Sequence, residues 1–552
     1  MESAPEPKIS AVTANFVSHM DPATHNLQLN IPVASSDLAA LLASIRQIKE
    51  QVNSKLTTVI QHSQAETSHA ETTNQPVDED DDDEEEEDYL AKLNSSLSQM
   101  ALLLLQTTQS QVAFQAVTHF DKPVLHSIDP ASLPPPFATE SRDREARVVP
   151  LPADVPLTAP KGFRVNVFSG HDEPEIYGAP RQMVLAPNGD IFLTDMMRDQ
   201  IHVLRDTNKD GVADQRFLFA SYGLEAPFGL AFNGNYLYVG NVDEVVRFSY
   251  KPGQVTASGP PEFVVKLTNE TRNFGHTTRN IVFSQDGTKF YVSVGSSGNV
   301  DIETNPIRAG ISVYNADGSN HAVYASGIRN PVGLAFNPTT GLLWAAVNER
   351  DELGEDLVPD FVTSVRQGGF YGFPYSYLGQ NVDPRIPANE SRPDLVEKAL
   401  VPDVLLTSHS AALGLAFYTG AMFPEEYKGD AFVALHGSWN RWNMTGYKII
   451  RIKFASDGKP IRNEYMDFLT GWLPHWDSSQ VYGRPVGILV NTDGSLLISD
   501  DGARKIWRLS YVKDNTQTST PSSGVKSALV SGLCSMLLLV VGSLILRTWS
   551  LN

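Results

Sequence analysis

Between residues 160 and 512, short apolar runs alternate with turn residues, and one pattern recurs six times. Each copy has an apolar strand, a tight turn rich in Asn, Asp and Gly, and a second apolar strand. The six copies lie at residues 180–195, 227–240, 278–296, 331–346, 413–435 and 485–499. Apolar runs on both sides of such a turn are typical of antiparallel β-hairpins. The hydrophobic pattern therefore predicts six equivalent hairpins.

The spacing of these hairpins predicts how they assemble. Successive copies begin about 47 to 53 residues apart at first and about 70 to 80 residues apart later, a range typical of propeller blades with insertions. We therefore predict an all-β fold, a six-bladed β-propeller formed by residues 155–512. The strands at residues 162–168 and 505–511 are predicted to share one blade, because this pairing would close the ring and remove two open edges.

The first 150 residues follow a different pattern. Residues 37–60 place apolar side chains at helical spacing, which predicts an amphipathic helix capped by Ser35 or Ser36, and a second helix is predicted for residues 89–112. The polar segment between them has too few apolar residues to order itself. Residues 1–150 are therefore predicted to be a helical and largely disordered acidic region.

Charge is concentrated in that acidic region. The formal net charge is −21, and the unbroken acidic run at residues 78–88 supplies 11 of the negative charges. The remaining −10 describes an ordinary acidic surface, which is a poor match for nucleic acid. We therefore predict that the propeller binds no nucleic acid.

The C-terminal residues 513–552 form a Ser/Thr-rich linker followed by an uncharged apolar stretch at residues 528–546. Small residues, a short spacer and an apolar tail are the order of a GPI-attachment signal, with candidate attachment sites at Ser522, Ser523 and Gly524. A single transmembrane tail is the alternative. Sequons at Asn269, Asn389 and Asn443 predict a glycoprotein. Together these features predict an extracellular or cell-surface protein that is anchored in the membrane by its tail.

Equivalent hairpins should place the residues just before their first strands in one ring at one end of the central channel. The residues in these positions are Arg181, Phe228, His276 with Arg279, Arg329 with Asn330, His409, and Arg484. Clustered arginines repel one another, so this ring predicts an anionic ligand. The alternative is that each arginine pairs with a carboxylate of a neighbouring blade.

Six motifs in the propeller region carry a family resemblance. They are His276 with Arg279, and the motifs at residues 327–331 (GIRNP), 348–354 (NERDELG), 369–374 (GFYGFP), 436–441 (HGSWNR) and 483–487 (GRPVG). In this order they resemble the pyrroloquinoline quinone (PQQ) dependent soluble sugar dehydrogenases, and most of all the branch of sorbosone dehydrogenases and fungal pyranose dehydrogenases. The resemblance spans about residues 155–512.

The resemblance implies a cofactor site and a catalytic base. PQQ carries three carboxylates and an ortho-quinone, and the resemblance assigns Arg329, Asn330, Arg441 and Arg484 to it, while Arg181 joins them from its place in the ring. Family members hold Ca²⁺ on the quinone side through backbone oxygens, which here implies the segment Asn348, Glu349, Arg350 and Asp351. His276 matches the general base, and Arg279 is expected to stabilise developing negative charge. His409 is expected to be structural or to line the substrate pocket.

A second calcium candidate lies in the first blade. Asp206, Asn208, Asp210 and Asp214 have the spacing of a calcium-binding loop, with Gly211 at the turn. The loop has Phe217 at the position where an EF-hand has its Glu, so a turn without metal is the alternative.

The N-terminal region has a resemblance of its own. Residues 10–95, a helix followed by an acidic tail, resemble the small fungal subunit of the KEOPS (EKC) tRNA-modification complex. This resemblance implies that two neighbouring genes have been joined in one reading frame, which would also explain why residues 1–30 lack the pattern of a signal peptide. The N-terminal region would then have that complex as its partner.

The function expected from these features is oxidation of a sugar of the aldose, pyranose or sorbosone type by hydride transfer to PQQ, with Ca²⁺ as second cofactor. No haem domain is recognisable in the sequence, so electrons are expected to pass to a separate haem or copper redox protein. Two alternatives stay open. A six-bladed, calcium-dependent hydrolase of the lactonase type would need carboxylates on a central metal, and a non-catalytic propeller would bind a partner on its surface.

Overall fold

The computed structural model describes residues 12–17, 26–31, 113–170 and 176–513. The chain divides into two compact units, residues 1–109 and 110–552. In the first unit, β1 (Val12–Val17) and β2 (Asn26–Ile31) form an antiparallel hairpin with Val12 opposite Ile31. This hairpin was not predicted, because the connecting residues 18–25 contain no Asn-Gly or Asp-Gly turn.

Several predictions fall outside the described residues. These are the two helices at residues 37–60 and 89–112, the acidic run, and the tail beyond residue 513 with its candidate attachment sites. The resemblance of residues 10–95 to the KEOPS subunit stays a prediction. In the described ranges, the single α-helix has four residues, and no helix has the length and apolarity needed to cross a membrane.

The second unit begins with short strands and then builds the first three blades. The short strands are β3 (Phe114–Gln115), β4 (Val117–His119), β5 (Leu125–Ser127), β6 (Arg147–Val148) and β7 (Leu157–Ala159), with a 3-10 turn at Pro130–Ser132, followed by the longer β8 (Phe163–Ser169). Blade 1 contains β9 (Pro180–Leu185), β10 (Ile191–Asp195), β11 (Gln200–Arg205) and β12 (Gln215–Ala220). Blade 2 contains β13 (Leu230–Asn233), β14 (Tyr236–Gly240), β15 (Glu244–Ser249) and β16 (Glu262–Lys266). Blade 3 contains β17 (Ile281–Phe283), β18 (Lys289–Val294), β19 (Gly310–Asn315) and β20 (Ala322–Ser326).

The last three blades carry the insertions that lengthen the later repeats. Blade 4 begins with β21 (Asn330–Phe336), β22 (Leu343–Asn348) and β23 (Phe361–Ser364). An insertion follows with β24 (Gly369–Phe370), β25 (Ser376–Tyr377), β26 (Asn381–Val382) and α1 (Pro393–Val396), and β27 (Val404–Leu405) then completes blade 4. Blade 5 contains β28 (Ala412–Phe417), a 3-10 turn at Glu425–Tyr427, β29 (Ala431–Leu435), β30 (Lys448–Ile452) and β31 (Glu464–Leu469). The short β32 (Gln480–Val481) leads to blade 6, which contains β33 (Pro485–Val490), β34 (Leu496–Asp500) and β35 (Lys505–Tyr511).

Blade 6 closes the ring with strands from both ends of the repeat region. β8 pairs antiparallel with β35, so that Phe163 lies opposite Tyr511 and Ser169 opposite Ile506. This pairing confirms both the six-bladed propeller and the predicted closure. Because one blade holds both ends of the ring, neither end exposes an unpaired inner strand.

The segment before β8 belongs to the propeller unit. β3 pairs with the outer side of β8, β5 pairs with β31 of blade 5, and β6 pairs with β32. Strands from residue 114 onwards therefore extend the sheets of the propeller on the N-terminal side of the predicted boundary near residue 155. Strands of two or three residues show no alternating pattern, so the sequence contained no signal for them.

Neighbouring blades approach each other closely at their inner strands. A Cβ atom at Gly333 would lie 2.3 Å from the carbonyl oxygen of Leu413, and one at Gly414 would lie 2.3 Å from that of Val486. The repeated Gly is therefore required by backbone contact between blades. Inside this contact, Phe228, Val332, Leu413 and Val486 pack into one buried apolar cluster.

Antiparallel pairing places two sets of loops at the same end of the propeller. The first residue of each inner strand lies opposite the last residue of the second strand, as in Pro180 with Asp195, Asn330 with Asn348, Ala412 with Leu435 and Pro485 with Asp500. The segment before the first strand and the loop after the second strand therefore both open at one end, which we call the mouth. The six sequence motifs contribute most of their residues to these segments.

Candidate functional site

His276 lies in the loop before β17, at the mouth. Its ring Nδ1 is 2.9 Å from the carbonyl oxygen of Ser296, and its backbone N–H donates to the same oxygen at 3.1 Å. A carbonyl oxygen only accepts hydrogen bonds, so this contact requires the proton on Nδ1 and leaves Nε2 as an acceptor. The fold therefore holds this imidazole in the tautomer that a general base needs.

The pKa of His276 is lowered from 6.5 to about 3, first by burial and then by the positive charge of Arg329. The imidazole is consequently neutral at physiological pH. A neutral ring with a free Nε2 is able to take a proton from a hydroxyl group.

Arg279 does not face the mouth, which corrects its predicted role. The residue is fully buried, and its Nη1 donates to the backbone carbonyls of His276 at 2.6 Å and Thr278 at 3.0 Å. Burial, and then the charge of Arg308, lower its pKa to about 9. Arg279 therefore positions the His276 loop from below and has no direct access to a substrate. The sequence placed it correctly in the ring but did not show which way its side chain points.

We expect Arg279→Gln to lower kcat by about tenfold with little change in KM, because a small displacement of a catalytic group is costly for turnover. Arg279→Lys should restore part of the loss, since it can still reach the His276 carbonyl. Steady-state kinetics of both variants test this, with Arg392→Gln as control because Arg392 forms an exposed pair with Asp394. An equal loss in the Gln and Lys variants would contradict the positioning role.

Asp351 is the centre of a polar network beside His276. Its Oδ1 accepts from Asn440 Nδ2 at 2.6 Å and lies 3.4 Å from His409 Nδ1, while its Oδ2 lies 3.2 Å from Arg329 Nη2. The side chains of Arg329 and His409 are 6% and 2% exposed. Loops of blades 4 and 5 thus meet on one carboxylate. We call this set the Asp351 network.

The charges within the Asp351 network stabilise one another. Burial raises the pKa of Asp351, but its hydrogen bond with His409 and the charge of Arg329 outweigh burial and hold the pKa below its usual range. Burial lowers the pKa of His409, but the hydrogen bond with Asp351 and the bond to the Gly354 carbonyl raise it. The structure therefore favours an ionised Asp351 beside a protonated His409. His409 is engaged by Asp351 and the Gly354 carbonyl in this arrangement, and its role, structural or lining the substrate pocket, stays a prediction.

Arg329 is almost fully occupied by the protein itself. Its Nε donates to the Asn299 carbonyl at 3.1 Å, its Nη1 to the Glu349 carbonyl at 2.7 Å, and its Nη2 to Asn299 Oδ1 at 3.0 Å as well as to Asp351. Next to it, Asn330 is buried with an unpartnered Oδ1. Arg329 and Asn330 both reach the mouth, and Asn330 retains the freer polar group.

A second network joins blades 1, 5 and 6 at the mouth. Asp501 accepts from His436 Nε2 at 2.8 Å and pairs with Arg181 at 3.0 Å, and Arg484 donates to the carbonyls of His436 at 3.4 Å and Gly437 at 3.2 Å. Burial lowers the pKa of His436 to about 4. Burial also raises the pKa of Asp501, but its interactions with His436 and Arg181 outweigh burial and hold that pKa well below its usual range. Sequence reasoning missed Asp501. Its position at the end of a second strand was the available signal.

Three arginines of the predicted cofactor site have carboxylate partners. Arg181 pairs with Asp501, Arg329 with Asp351, and Arg441 with Asp356 at 2.8 Å. This is the alternative that the sequence left open, so unpaired positive charge does not by itself indicate an anionic ligand here. Arg484 differs, since in the described part its guanidinium donates to carbonyl groups and forms no ion pair.

Some polar atoms at the mouth nevertheless have no partner. Of twelve buried side-chain N and O atoms without a hydrogen-bond partner in the described residues, four belong to residues that face the mouth, on Arg181, Thr278, Asn330 and Asn440. Buried polar groups are normally paired, so such a cluster indicates a missing polar partner. The donor-rich composition of the mouth fits a ligand with several carboxylates and carbonyls, as PQQ has.

Residues 348–351, the segment predicted to hold calcium, already form hydrogen bonds and ion pairs within the protein. The Glu349 carbonyl accepts from Arg329, and the Asp351 carbonyl accepts from Arg385 at 2.7 Å. Arg350 is fully buried between Glu349 and Asp383, so its guanidinium is structural. Asn348 donates to the Ala412 carbonyl. The Asp351 carbonyl also accepts from Asn299 Nδ2 at 3.1 Å, so both of its lone pairs are used, while the Glu349 carbonyl keeps one. A cation held by backbone oxygens of this segment remains a prediction.

The Asp206 loop is closed by its own hydrogen bonds. Asp206 accepts from the backbone of Asp210 and Gly211, and Asp214 accepts from Thr207 and Asn208. Among the residues that the structure describes, no group of three or more His, Cys, Asp or Glu is arranged to hold a metal. These hydrogen bonds stabilise a turn rich in Asp and Asn, and the calcium site at these residues stays a prediction.

Fold and mouth together define a closed six-bladed propeller with a partly buried, neutral imidazole among arginine and asparagine side chains at one end. The chain belongs to the TrAA12-like family, whose profile matches residues 163–383 and 386–512. This match confirms the resemblance seen in the motifs of the propeller region.

The chain is similar in sequence to three relatives. An uncharacterized protein of Borreliella burgdorferi is 30% identical over 65% of this chain and 91% of that protein. The pyrroloquinoline quinone-dependent pyranose dehydrogenase of Coprinopsis cinerea is 24% identical, over 62% of this chain and 54% of the enzyme. The pyrroloquinoline quinone-dependent sugar dehydrogenase of Hypocrea jecorina is also 24% identical, over 61% of this chain and 86% of the enzyme. The chain thus spans about half of the Coprinopsis enzyme.

Solved structures support the same fold. The calcium structure of a Trichoderma reesei enzyme of carbohydrate-active family AA12 has a TM-score of 0.57 at 20% identity, covering 66% of this chain and 99% of that one. The holo form of the pyranose dehydrogenase PQQ domain from Coprinopsis cinerea has a TM-score of 0.54 at 22% identity, covering 65% and 98%. At these identities the likeness establishes the propeller architecture.

Proposed function

We propose that the protein is a PQQ- and calcium-dependent dehydrogenase that oxidises a hydroxyl group of a sugar of the aldose, pyranose or sorbosone type. The observation that carries the proposal is the fixed tautomer of His276, with a free Nε2 in the donor-rich mouth. Family membership and the two named fungal relatives support the choice of cofactor and substrate class. Electrons then pass to a separate redox protein.

The residues that would hold the cofactor are those with polar groups left at the mouth. Arg484 comes first as a donor and Asn330 contributes its side-chain amide, while Arg181, Arg329 and Arg441 add positive charge and keep their carboxylate partners. Bound PQQ supplies an ortho-quinone that accepts a hydride. Ca²⁺ would be held by backbone oxygens of the segment that ends at Asp351.

His276 performs the proton chemistry. Its Nε2 takes the hydroxyl proton while the Nδ1–H bond to Ser296 stabilises the imidazolium that forms. Arg329 is the cation whose charge acts most strongly on His276. It favours negative charge on the substrate oxygen and opposes premature protonation of the base. Arg279 acts through the loop that carries His276.

The apolar cluster of Phe228, Val332, Leu413 and Val486 argues against the lactonase-type alternative. That mechanism needs carboxylates around a metal on the central axis, where these apolar side chains lie. The dehydrogenase proposal requires no central metal, since its polar groups lie around the rim of the mouth.

The proposal is tested by titrating the full chain with PQQ and Ca²⁺ and following dye reduction with aldoses, pyranoses and sorbosone. The full chain is needed because residues from 114 onwards pair with the propeller. We expect saturable PQQ binding that requires Ca²⁺, loss of activity with a chelator, and recovery on adding Ca²⁺. Absence of PQQ binding would exclude the dehydrogenase, and PQQ binding without turnover of any sugar would exclude the substrate class.

The pH below which kcat/KM decreases should be unusually low. An ordinary histidine base loses activity below its pKa of about 6.5, whereas His276 has a pKa of about 3. We therefore expect kcat/KM to stay nearly constant from pH 7 down to about pH 4. The measurement is kcat/KM against pH with a dye whose reduction does not consume protons in this range. A tenfold decrease between pH 7 and pH 5 would contradict His276 as the base.

The location of the protein is part of the proposal. We place it outside the cell, anchored by the tail beyond residue 513 through GPI or a transmembrane segment. Asn269, Asn389 and Asn443 are exposed, as glycan acceptors must be. A shift in mobility after glycosidase treatment, and release from membranes by phospholipase C, would support glycosylation and the GPI anchor.

A further inference from the structure

Three tryptophans are exposed at the mouth. Of the six in the described part, Trp344, Trp472 and Trp507 are buried to 2% exposure or less, while Trp439, Trp442 and Trp476 are 44%, 52% and 50% exposed. Trp439 and Trp442 follow β29, and Trp476 follows β31, so all three lie in mouth loops. We call these three residues the tryptophan ridge. Exposing so much aromatic surface in one region is unfavourable in water unless a ligand covers it.

The ridge is held together by contacts between loops. The backbone N–H of Met444 donates to the Trp476 carbonyl at 2.8 Å, which joins the two tryptophan loops. Arg144 donates from its backbone to the Trp439 carbonyl, and its side chain donates to the carbonyls of Trp442 and Asp477. Its guanidinium also lies 4.8 Å from the centre of the Trp442 ring. Backbone and cation–π contacts therefore fix the loops that carry all three indoles.

The ridge is continuous with the candidate active site. Asn440 and Arg441 lie between Trp439 and Trp442 in the sequence, and they point into the site. Asn440 donates to Asp351 at 2.6 Å, and Arg441 pairs with Asp356 at 2.8 Å. One short stretch thus contributes both to the Asp351 network and to the exposed aromatic surface. A molecule bound at the mouth that extends outward on this side meets the indoles.

Indole rings suit one class of ligand here. The face of an aromatic ring is electronegative, so it attracts the C–H groups that line one face of a pyranose ring. Polar groups surround the ridge: Arg142 lies 5.5 Å from the centre of the Trp442 ring, and His475, which contacts Asp477, lies 5.1 Å from that of Trp476. A contiguous apolar patch would suit a protein partner better than separate rings set among polar groups.

We propose that the tryptophan ridge binds the distal rings of an oligosaccharide whose terminal sugar enters the mouth. This inference rests on the proposed function, because it makes the substrate a chain of sugars rather than a free monosaccharide. Each stacked indole contributes on its own, so binding strengthens with chain length until the ridge is covered.

Binding by the cofactor-free full chain tests the ridge separately from turnover. Glycosidase-treated protein is used, since Asn443 lies in a sequon beside Trp442. The probes are glucose, xylose and mannose with the tetrasaccharides of cellulose, xylan and mannan, measured by calorimetry and tryptophan fluorescence. At least one tetrasaccharide is expected to bind about tenfold or more tighter than its monosaccharide, as one or two stacked rings would give. No preference for length in any series would overturn the inference.

Substitutions of the tryptophans test whether the preference for tetrasaccharides depends on the ridge. Trp442→Ala and Trp476→Ala should each weaken tetrasaccharide binding about tenfold and leave monosaccharide binding unchanged, and Trp442→Phe should retain most of the affinity. Phe263→Ala is the matched control, because Phe263 is 63% exposed on β16, far along the chain from the mouth loops. Equal effects of the control, or none in the tryptophan variants, would refute the ridge as a saccharide site.

Turnover then separates this inference from the proposed function. If PQQ-loaded protein oxidises no sugar but the tetrasaccharide preference persists, the ridge stands and the dehydrogenase fails. If sugars are oxidised with the same kcat/KM at every chain length, the dehydrogenase stands and the ridge fails. Slower reduction of cytochrome c by the tryptophan variants, with unchanged saccharide binding, would assign the ridge to an electron-acceptor protein and also overturn the inference.

Discussion

His276→Asn is expected to lower kcat/KM by about 10² to 10⁴-fold while PQQ and Ca²⁺ binding stay unchanged, because the variant removes the proton acceptor and leaves the donors of the mouth in place. The side-chain amide of Asn can still donate to the Ser296 carbonyl oxygen, which accepts a hydrogen bond from His276 Nδ1 at 2.9 Å in the native protein. The loop should therefore keep its conformation. Lost proton transfer is then the only expected change.

Kinetics with a saturating sugar and a separate titration of PQQ distinguish chemistry from binding. His321→Asn is the matched control, because His321 is exposed and its Nε2 lies 3.1 Å from Ser312, on strands away from the mouth loops. A variant at His276 with more than a tenth of the native kcat would show that another group takes the proton. The His436–Asp501 pair would then be the next candidate, since it also lies at the mouth.

Asp351→Ala is expected to destabilise the protein by about 3 kcal/mol and to abolish PQQ binding, because it leaves two buried positive groups without their shared carboxylate. Arg329 and His409 would both lose their ion-pair partner, and Asn440 would lose its acceptor. Urea unfolding measures the change in stability. Asp394→Ala is the control, since Asp394 forms an exposed pair with Arg392 and its removal should leave the stability almost unchanged.

The pH dependence of the stability lost in Asp351→Ala identifies the groups that pair with Asp351. The pKa of Asp351 is lowered from 3.8, so its contribution to stability is present above that value and lost as pH falls. The pKa of His409 is raised from 6.5, so its contribution is fully present below pH 6.5 and is lost as pH rises through the folded value. The difference between native protein and Asp351→Ala should therefore be largest between about pH 4 and pH 6.5. A difference that does not vary with pH would exclude His409 from the network.

The architecture was predictable because each hairpin carries its own signal. Gly333 and its equivalents lie where the inner strands of neighbouring blades approach closely. Asn-Gly and Asp-Gly turns connect the two strands of several hairpins. Equivalent positions in a repeat must lie at equivalent places in the fold. That rule alone brought His276, Arg329 and Arg484 to one end of the propeller.

Side-chain direction was not predictable in the same way. Arg279 lies three residues after His276, yet it points into the interior and is fully buried. Arg350, which the motif placed near a cation, is buried between Glu349 and Asp383. Sequence position places a residue near the mouth, but local packing decides whether its charged group faces solvent or the core.

By itself, the sequence determined the number of blades, the closure of the ring, and which segments gather at the mouth. These follow from local periodicity, which each repeat carries independently of the others. Only the tertiary structure decided the pairings at the site, namely Asp351 with Arg329 and His409, and Asp501 with Arg181 and His436. Arg329 and Asp351 flank the inner strands of one blade, whereas His409, Arg181 and His436 come from other blades than the carboxylates they meet. A charge finds its partner by proximity in space, and no local pattern records which blades face each other across the mouth.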